Sequence, residues 1–399
     1  MDLYAYIYGS SDVKIWGLTS RERIEKILKQ RRNINVVYNL ELIPQKSSVL
    51  LINCRYIFDE RILNALINNA NTAISVRPGI DDIIAVNIAA HKPNQILKLI
   101  KKEIEITELK DINIKNVSEV TNTGFHKKLK KVEKPFILDT EKDDTSYIAN
   151  KLYYGSYKGV TDIITRLIWP KPAMKAVKFC VDKNISPNQV TMISLMLAVL
   201  VGLFFYINQY FIGLVLAWFM TFLDTVDGKL ARVTISSTKL GDRLDHGIDV
   251  LSPLYWYACW AYGLLNINDW DISIITLNQT VTLIFIFYII GRLCEGSFQF
   301  ILKVPFSIFC WKPFDSFFRL ITARRNPNLI ILTFSAVFGA YDVGLFIIAL
   351  WTVISTVILI IRLSLAFGEK RIKGQLISWL TEIDPEIIKK RKIYKLFIY

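Results

Sequence analysis

Asp224-Thr-Val-Asp-Gly-Lys-Leu-Ala-Arg232, followed after eight intervening residues by Gly241, then Asp245 and Asp249, is the stretch around which the chain is organised. As a pattern it reads D-x-x-D-G-x-x-A-R, then G-x-x-x-D-x-x-x-D, set between the apolar runs 210–223 and 250–265. Carboxylates at the edge of hydrocarbon are costly unless something neutralises them. If 210–232 is one helix, Asp224 and Asp227 are three apart and share a face; in a second helix from near 241, Asp245 and Asp249 are four apart and share another. Two facing pairs make an oxygen cage. Carboxylates about 5 Å apart repel by roughly 3 kcal/mol at an effective dielectric near ~20, and one divalent cation, or two, reverses that sign. All-oxygen ligation selects Mg²⁺ or Mn²⁺ over zinc or copper, and paired ions suit displacement at phosphorus. Gly228 and Gly241 remove side chains where a nucleotide would approach backbone, Ala231 keeps the wall thin, and Arg232 can meet a phosphate in forked geometry. Headgroup water around helix-end aspartates accounts for any one of the four, but not for the joint spacing.

This stretch closely resembles the signature of the CDP-alcohol phosphatidyltransferase family, with every fixed position present. The resemblance implies a membrane enzyme that displaces CMP from a CDP-activated alcohol with the hydroxyl of a second alcohol, using Mg²⁺ or Mn²⁺ as a pair of ions. Carried over by position, Asp224, Asp227 and Asp245 are metal ligands, and Asp249 is a further ligand and the base for the acceptor hydroxyl. Gly228, Ala231, Arg232 and Gly241 fall to the CDP site. Ser186-Pro-Asn-Gln-Val-Thr191, which opens the first apolar run with Pro187 where a helix tolerates it, is a second, weaker match and brings Asn188 to the nucleotide. The implied partners are CDP-diacylglycerol or another CDP-alcohol, a small alcohol acceptor, membrane lipids and a second copy of the chain in a homodimer.

At 399 residues there is room for two domains, and the 52% apolar content is unevenly spread. Residues 1–185 are ordinary, whereas long apolar runs dominate from 189 onward. The formal charge of +14 fits nucleic acid or anionic membrane. Lysines and arginines flank the apolar runs and no nucleic-acid motif accompanies them, so lipid is the expected contact and nucleic acid is not. Five cysteines without a C-x-x-C imply reduced thiols. The opening Met-Asp-Leu-Tyr-Ala-Tyr has no basic-then-apolar leader, so no signal peptide is expected.

The fold class expected is therefore an α-helical membrane protein with six transmembrane helices, preceded by a cytosolic α/β, Rossmann-like domain over 1–140. There, strands fit Leu3–Tyr8, Ile34–Tyr38, Val49–Ile52, Ala73–Val76 and Ile84–Ala89, and helices fit Ser20–Gln30, Glu60–Asn69 and Pro93–Ile104. Its order of elements resembles a sugar-phosphate nucleotidyltransferase. It departs from that family in having Gly-Ser-Ser-Asp at 9–12 for a Gly-rich loop, and no metal-binding Asp near Leu51–Arg55; the expectation is a degenerate domain. Residues 124–151 have the mixed charge of a solvated tether. Ile163–Val181 reads as a basic amphipathic helix, broken near Pro170 and Pro172, lying along an anionic leaflet; it belongs to a linker over 141–185, followed by the membrane domain at 186–368 and a basic cytosolic tail at 369–399. Lys158 is expected to contact a lipid phosphate, with a headgroup pocket as the alternative.

Spans are expected at 189–207, 210–232, 246–265, 272–291, about 327–341 and 343–361. Segments 207–211, 266–280 and 340–343 contain no Lys or Arg, whereas 292–328 holds six and the tail after 361 nine more. Both termini and the aspartates thus face the cytoplasm, the inner membrane in a bacterium. Trp256, Trp260, Trp270 and Trp351 are expected in the interface belt. Arg292, at the end of the fourth span, and Arg324 and Arg325, at the start of the fifth, fall on the aspartates' face, where three guanidinium groups suit a phosphorylated acceptor such as glycerol phosphate or inositol phosphate. Positive-inside anchoring accounts for the same arginines. Other readings stay open: a neutral acceptor, a soluble donor such as CDP-inositol, or a transporter coupling ions through its carboxylates.

Overall fold

The alternation of short apolar runs with amphipathic ones becomes, in the computed structural model, β1 (Leu3–Tyr8), α1 (Ser20–Lys29), β2 (Ile34–Val37), β3 (Ser48–Asn53), β4 (Tyr56–Phe58), α2 (Glu60–Asn68), β5 (Thr72–Ser75), β6 (Ile83–Ile88), α3 (Pro93–Ile100), β7 (Asn113–Asn116) and α4 (Val117–Val120). Six strands form one mixed sheet in the order β2-β1-β3-β6-β5-β7, in which β6 runs antiparallel to both neighbours and the other pairs are parallel. Alternation along β1 sends Leu3, Ala5 and Ile7 into a core with Ile24 and Leu28 of α1. Thr19 and Glu22 close a capping box on α1, and Asp59 caps α2. Every predicted strand and helix of this region is present to within a few residues; Val76, Ala89 and 102–104 lie outside the described residues. Those are 3–31, 33–44, 47–75, 83–88, 93–101, 112–120, 124–267, 269–381 and 392–397.

The chain divides into two compact units, Met1–Gly124 with Glu133–Gly155 and Val233–Ile235, and Phe125–Val132 with Ser156–Arg232 and Ser236–Tyr399. Residues 124–151, expected as a tether, are folded. β8 (Phe125–His126) and β9 (Lys131–Val132) pair as a hairpin, β10 (Ile137–Asp139) pairs with β4, and α5 (Thr145–Gly155) buries Ile148 and Tyr153. The apolar residues interleaved with the lysines decide this: Phe125, Leu129 and Leu138 are buried.

The second unit continues with α6 (Ile163–Leu167), α7 (Pro170–Asp182), α8 (Pro187–Tyr206), α9 (Tyr210–Val233), α10 (Lys239–Ile267), α11 (Leu277–Phe300), α12 (Pro313–Ile321), α13 (Arg325–Val337) and α14 (Tyr341–Lys373). Among the described residues α8, α9, α11 and α14 are long and apolar enough to cross a membrane. The other two expected spans are helices that miss that standard. The first half of α10 carries Asp242, Arg243, Asp245 and Asp249, and α13 has 13 residues, about 20 Å at about 1.5 Å each. Thr276 caps α11, so 272–276 stay outside it, and the helix runs eight residues beyond Arg292 rather than ending there. On α14 the exposed residues Ile347, Leu350, Ile354, Val357 and Ile361 recur at helical spacing, a stripe suited to lipid.

Trp256 and Trp260 belong to the core rather than to an interface belt: both are fully buried, and their indole N–H groups donate to the carbonyls of Ala198 and Tyr341. Amphipathic in themselves, they face neighbouring helices and satisfy their polar edge there. α8 packs along α10, and at Gly263 an added Cβ would lie 2.3 Å from the Phe205 carbonyl oxygen and 2.6 Å from the Tyr210 hydroxyl. Gly263→Ala is therefore expected to push the helices apart and cost about 1–3 kcal/mol, read as a lower unfolding temperature of the detergent-solubilised protein.

Candidate active site

Helical periodicity puts Asp224, Gly228 and Arg232 on one face of α9 with Thr225 and Lys229 on the adjoining stripe, and all five line one cleft. α10 adds Asp245 and Asp249, one turn apart. Asp224, Asp245 and Asp249 offer carboxylate oxygens that lie within 4.8 Å of one another, although they come from two helices. Asp227 stands outside that trio. It is buried, one carboxylate oxygen accepts from Thr191 Oγ1 at 2.6 Å, and the other has no hydrogen-bond partner among the described residues. A buried orphan oxygen beside three converging carboxylates is a donor set for a hard divalent cation. The residues fit Mg²⁺ or Mn²⁺.

Arg325 neutralises part of this charge: Nη2 lies 2.7 Å from Asp224 Oδ2 and Nη1 lies 2.9 Å from Asp249 Oδ1. It thus stands on the carboxylates rather than free for an acceptor. The side chain of Asp249 is 44% exposed against 18% for Asp224, so Asp249 is the acid an incoming hydroxyl reaches most easily.

A second group lies in the same cleft. Arg324 pairs with Glu295, and Arg292 lies 3.9 Å from the same carboxylate. Lys130, Lys158 and Arg319 also line the cleft. In all, eight cationic and four aspartate side chains line it. Lys130, Lys229 and Arg319 were not among the expected site residues. Lys229 was legible in principle, being one stripe over from Gly228; it is buried with its ammonium 3.6 Å from the centre of the Tyr157 ring.

Asn188, Asp227, Gly228, Ala231, Gly241 and Asp245 line a neighbouring cavity, so four of the five expected CDP-site residues converge there; Arg232 lies in the main cleft instead. Thr238 Oγ1 donates to Asn188 Oδ1 at 3.1 Å and accepts from Gly241 N at 3.0 Å. A Cβ on Gly241 would sit 2.6 Å from Asn188 Oδ1, so any larger residue here would displace the Asn188 side chain.

Residues 184–322 match the model of the family described as CDP-alcohol phosphatidyltransferase. That match spans 139 of the chain's 399 residues. An archaetidylinositol phosphate synthase of Pyrococcus horikoshii is 27% identical over 181 residues, which are 45% of this chain and 84% of the relative. Two solved structures of a Mycobacterium tuberculosis phosphatidylinositol phosphate synthase, one with CDP-DAG bound and one with manganese and citrate, align with this chain at 18% identity and a TM-score of 0.33. They cover 48% of this chain and 94% and 88% of their own.

Proposed function

We propose that the enzyme transfers a phosphatidyl-type group from a CDP-activated lipid alcohol to a phosphorylated polyol, of which inositol phosphate is the first candidate, releasing CMP. The observation that carries this reading is the cationic group beside the carboxylates: Arg292, Arg319, Arg324, Lys130 and Lys158 share the cleft with Glu295 as the carboxylate partner of two of them. A neutral alcohol leaves those charges uncompensated, while a phosphate dianion offsets two of them through charge-assisted hydrogen bonds. The name of the Pyrococcus relative points the same way.

In this reading Asp224, Asp227, Asp245 and Asp249 hold divalent cations that, when bound, draw in the donor's diphosphate and offset charge on the departing CMP. Asn188, Gly228, Ala231 and Gly241 seat the cytidine end. Asp249 takes the proton of the acceptor hydroxyl. The acceptor oxygen bonds to the phosphorus that carries the lipid alcohol, the bond from that phosphorus to the bridging oxygen breaks, and the electron pair leaves on CMP. Arg232 lies at the same cleft and can meet a phosphoryl oxygen. Most of the acceleration comes from placement and charge.

The six long or mid-length helices α8, α9, α10, α11, α13 and α14 are read as six spans, with the carboxylates and both termini on the cytoplasmic side and two copies forming the enzyme. The α/β unit is read as nucleotidyltransferase-like without that family's chemistry, supported by its mixed sheet and the Gly9-Ser-Ser-Asp12 segment after β1.

The test is purified protein with labelled CDP-diacylglycerol, Mg²⁺ and a panel of inositol phosphate, glycerol phosphate, inositol, glycerol and serine. Phosphorylated polyols are expected to give lipid product at rates at least about tenfold above their dephosphorylated forms, the effect of one charged contact. Faster turnover of a neutral alcohol would defeat the proposal.

A further inference from the structure

Lys130 and Lys158 stand outside residues 184–322, in the segments that lead into the first long helix, yet both line the cleft with the family's carboxylates. Their placement is built. β8 and β9 form a two-stranded hairpin whose turn is closed by Leu129 N donating to His126 Nδ1 at 3.1 Å. Lys130, at the end of that turn, has φ +51°, a left-handed backbone that a lysine adopts at a cost of about 1–3 kcal/mol. The following segment docks on it: Gly159 N donates to the Leu129 carbonyl at 2.8 Å and Val160 N to the Lys130 carbonyl at 3.1 Å. A Cβ on Gly159 would lie 2.6 Å from the Lys130 carbonyl oxygen, so only glycine lets the two strands approach this closely. That approach puts Lys158 beside Lys130. Phe125 and Val160 anchor the assembly in a core with Phe298, Phe309 and Leu302.

Two lysines brought together against their own repulsion, one through a strained backbone, require something to offset them. Burial, with Lys158 and Arg319 nearby, holds the Lys130 ammonium below its ordinary pKa, against the pull of Cys310 and Glu295. Glu295 already pairs Arg324 and lies near Arg292. Lys158 also faces Arg232 and the carboxylates of Asp249, Asp245 and Asp224, so the two lysines link the cationic group around Glu295 to the carboxylates of the cleft.

We propose that Lys130 and Lys158 complete the subsite for the acceptor's phosphate, so that preference for a phosphorylated acceptor is set partly by residues 125–132 and 156–160, outside the family's own domain. This rests on the phosphorylated-acceptor reading above. Both lysines touch the acceptor's phosphate and neither touches the donor.

The experiment compares wild type with Lys130→Gln, Lys158→Gln, the double variant and Lys130→Arg in the full-length protein, using inositol phosphate and glycerol phosphate as acceptors and CDP as a binding probe. Expected are a KM for the phosphorylated acceptor raised on the order of tenfold by each glutamine, a CDP affinity equal to wild type, and recovery of most of the acceptor KM in Lys130→Arg. An unchanged acceptor KM in the double variant overturns the inference while leaving the proposed function standing. So does a loss of CDP affinity equal to the loss for acceptor, which would mark the lysines as structural. A wild type that shows no preference for phosphorylated over dephosphorylated polyols removes the proposed function and this inference together.

Discussion

Asp245→Asn is expected to lower CMP release from CDP-diacylglycerol by at least about a thousand-fold, the upper range for loss of one electrostatic contact at a transition state, with the protein still folded. Asp245 is the cleanest of the four to change. Asp224 and Asp249 each hold Arg325, so asparagine at either also unpairs a buried guanidinium, whereas Asp245 is in no ion pair among the described residues. Its carboxylate shares the 4.8 Å cluster and also lines the neighbouring cavity with Gly228, Ala231 and Gly241, joining the ions to the nucleotide. Assay of labelled CMP release in detergent, with the unfolding temperature as control, reads the effect. A variant within tenfold of wild type would remove Asp245 from the chemistry.

The second large effect concerns Arg325. With no divalent ion bound, the buried Arg325 is the cation in contact with Asp224 and Asp249. Arg325→Met leaves those carboxylates facing each other and Asp245 with no guanidinium between them. The expected loss is on the order of 3–5 kcal/mol of stability in EDTA. Saturating Mn²⁺ should restore most of it, because ions that bind only the folded state stabilise it. Thermal unfolding with and without Mn²⁺ reads both numbers; wild type, which carries its own counter-ion, should gain less from the metal than the variant. Equal gains in the two proteins would show that Arg325 and the ion do not share these carboxylates.

Much of this was legible beforehand. The four-residue spacing of Asp245 and Asp249 translates into one face of α10, whereas Asp227, three residues from Asp224, turns to Thr191 and stands outside the trio; the glycines that leave space are in the signature itself. The strand and helix alternation of the first unit follows from local periodicity, which acts over a few residues and survives folding. What stayed hidden depends on contacts between distant segments. Arg325 sits 101 positions from Asp224, and charge counting speaks only to a membrane face, not to a contact. Lys130 looked like one lysine of a solvated run because its role depends on a left-handed turn and on the close docking of Gly159. Trp256 and Trp260 were misplaced for a different reason. In a membrane, lipid and protein interior are equally apolar, so hydropathy cannot say which face of α10 meets lipid and which meets α8.

The account depends on the carboxylates of α9 and α10 acting together on a divalent ion. Mn²⁺ titration of the purified protein followed by electron paramagnetic resonance, with and without CDP, measures this directly. Wild type should bind Mn²⁺ at the cluster and hold it more tightly when CDP is present, and Asp245→Asn should weaken that binding by about tenfold or more. Mn²⁺ bound equally well by wild type and Asp245→Asn, and indifferent to CDP in both, would contradict it.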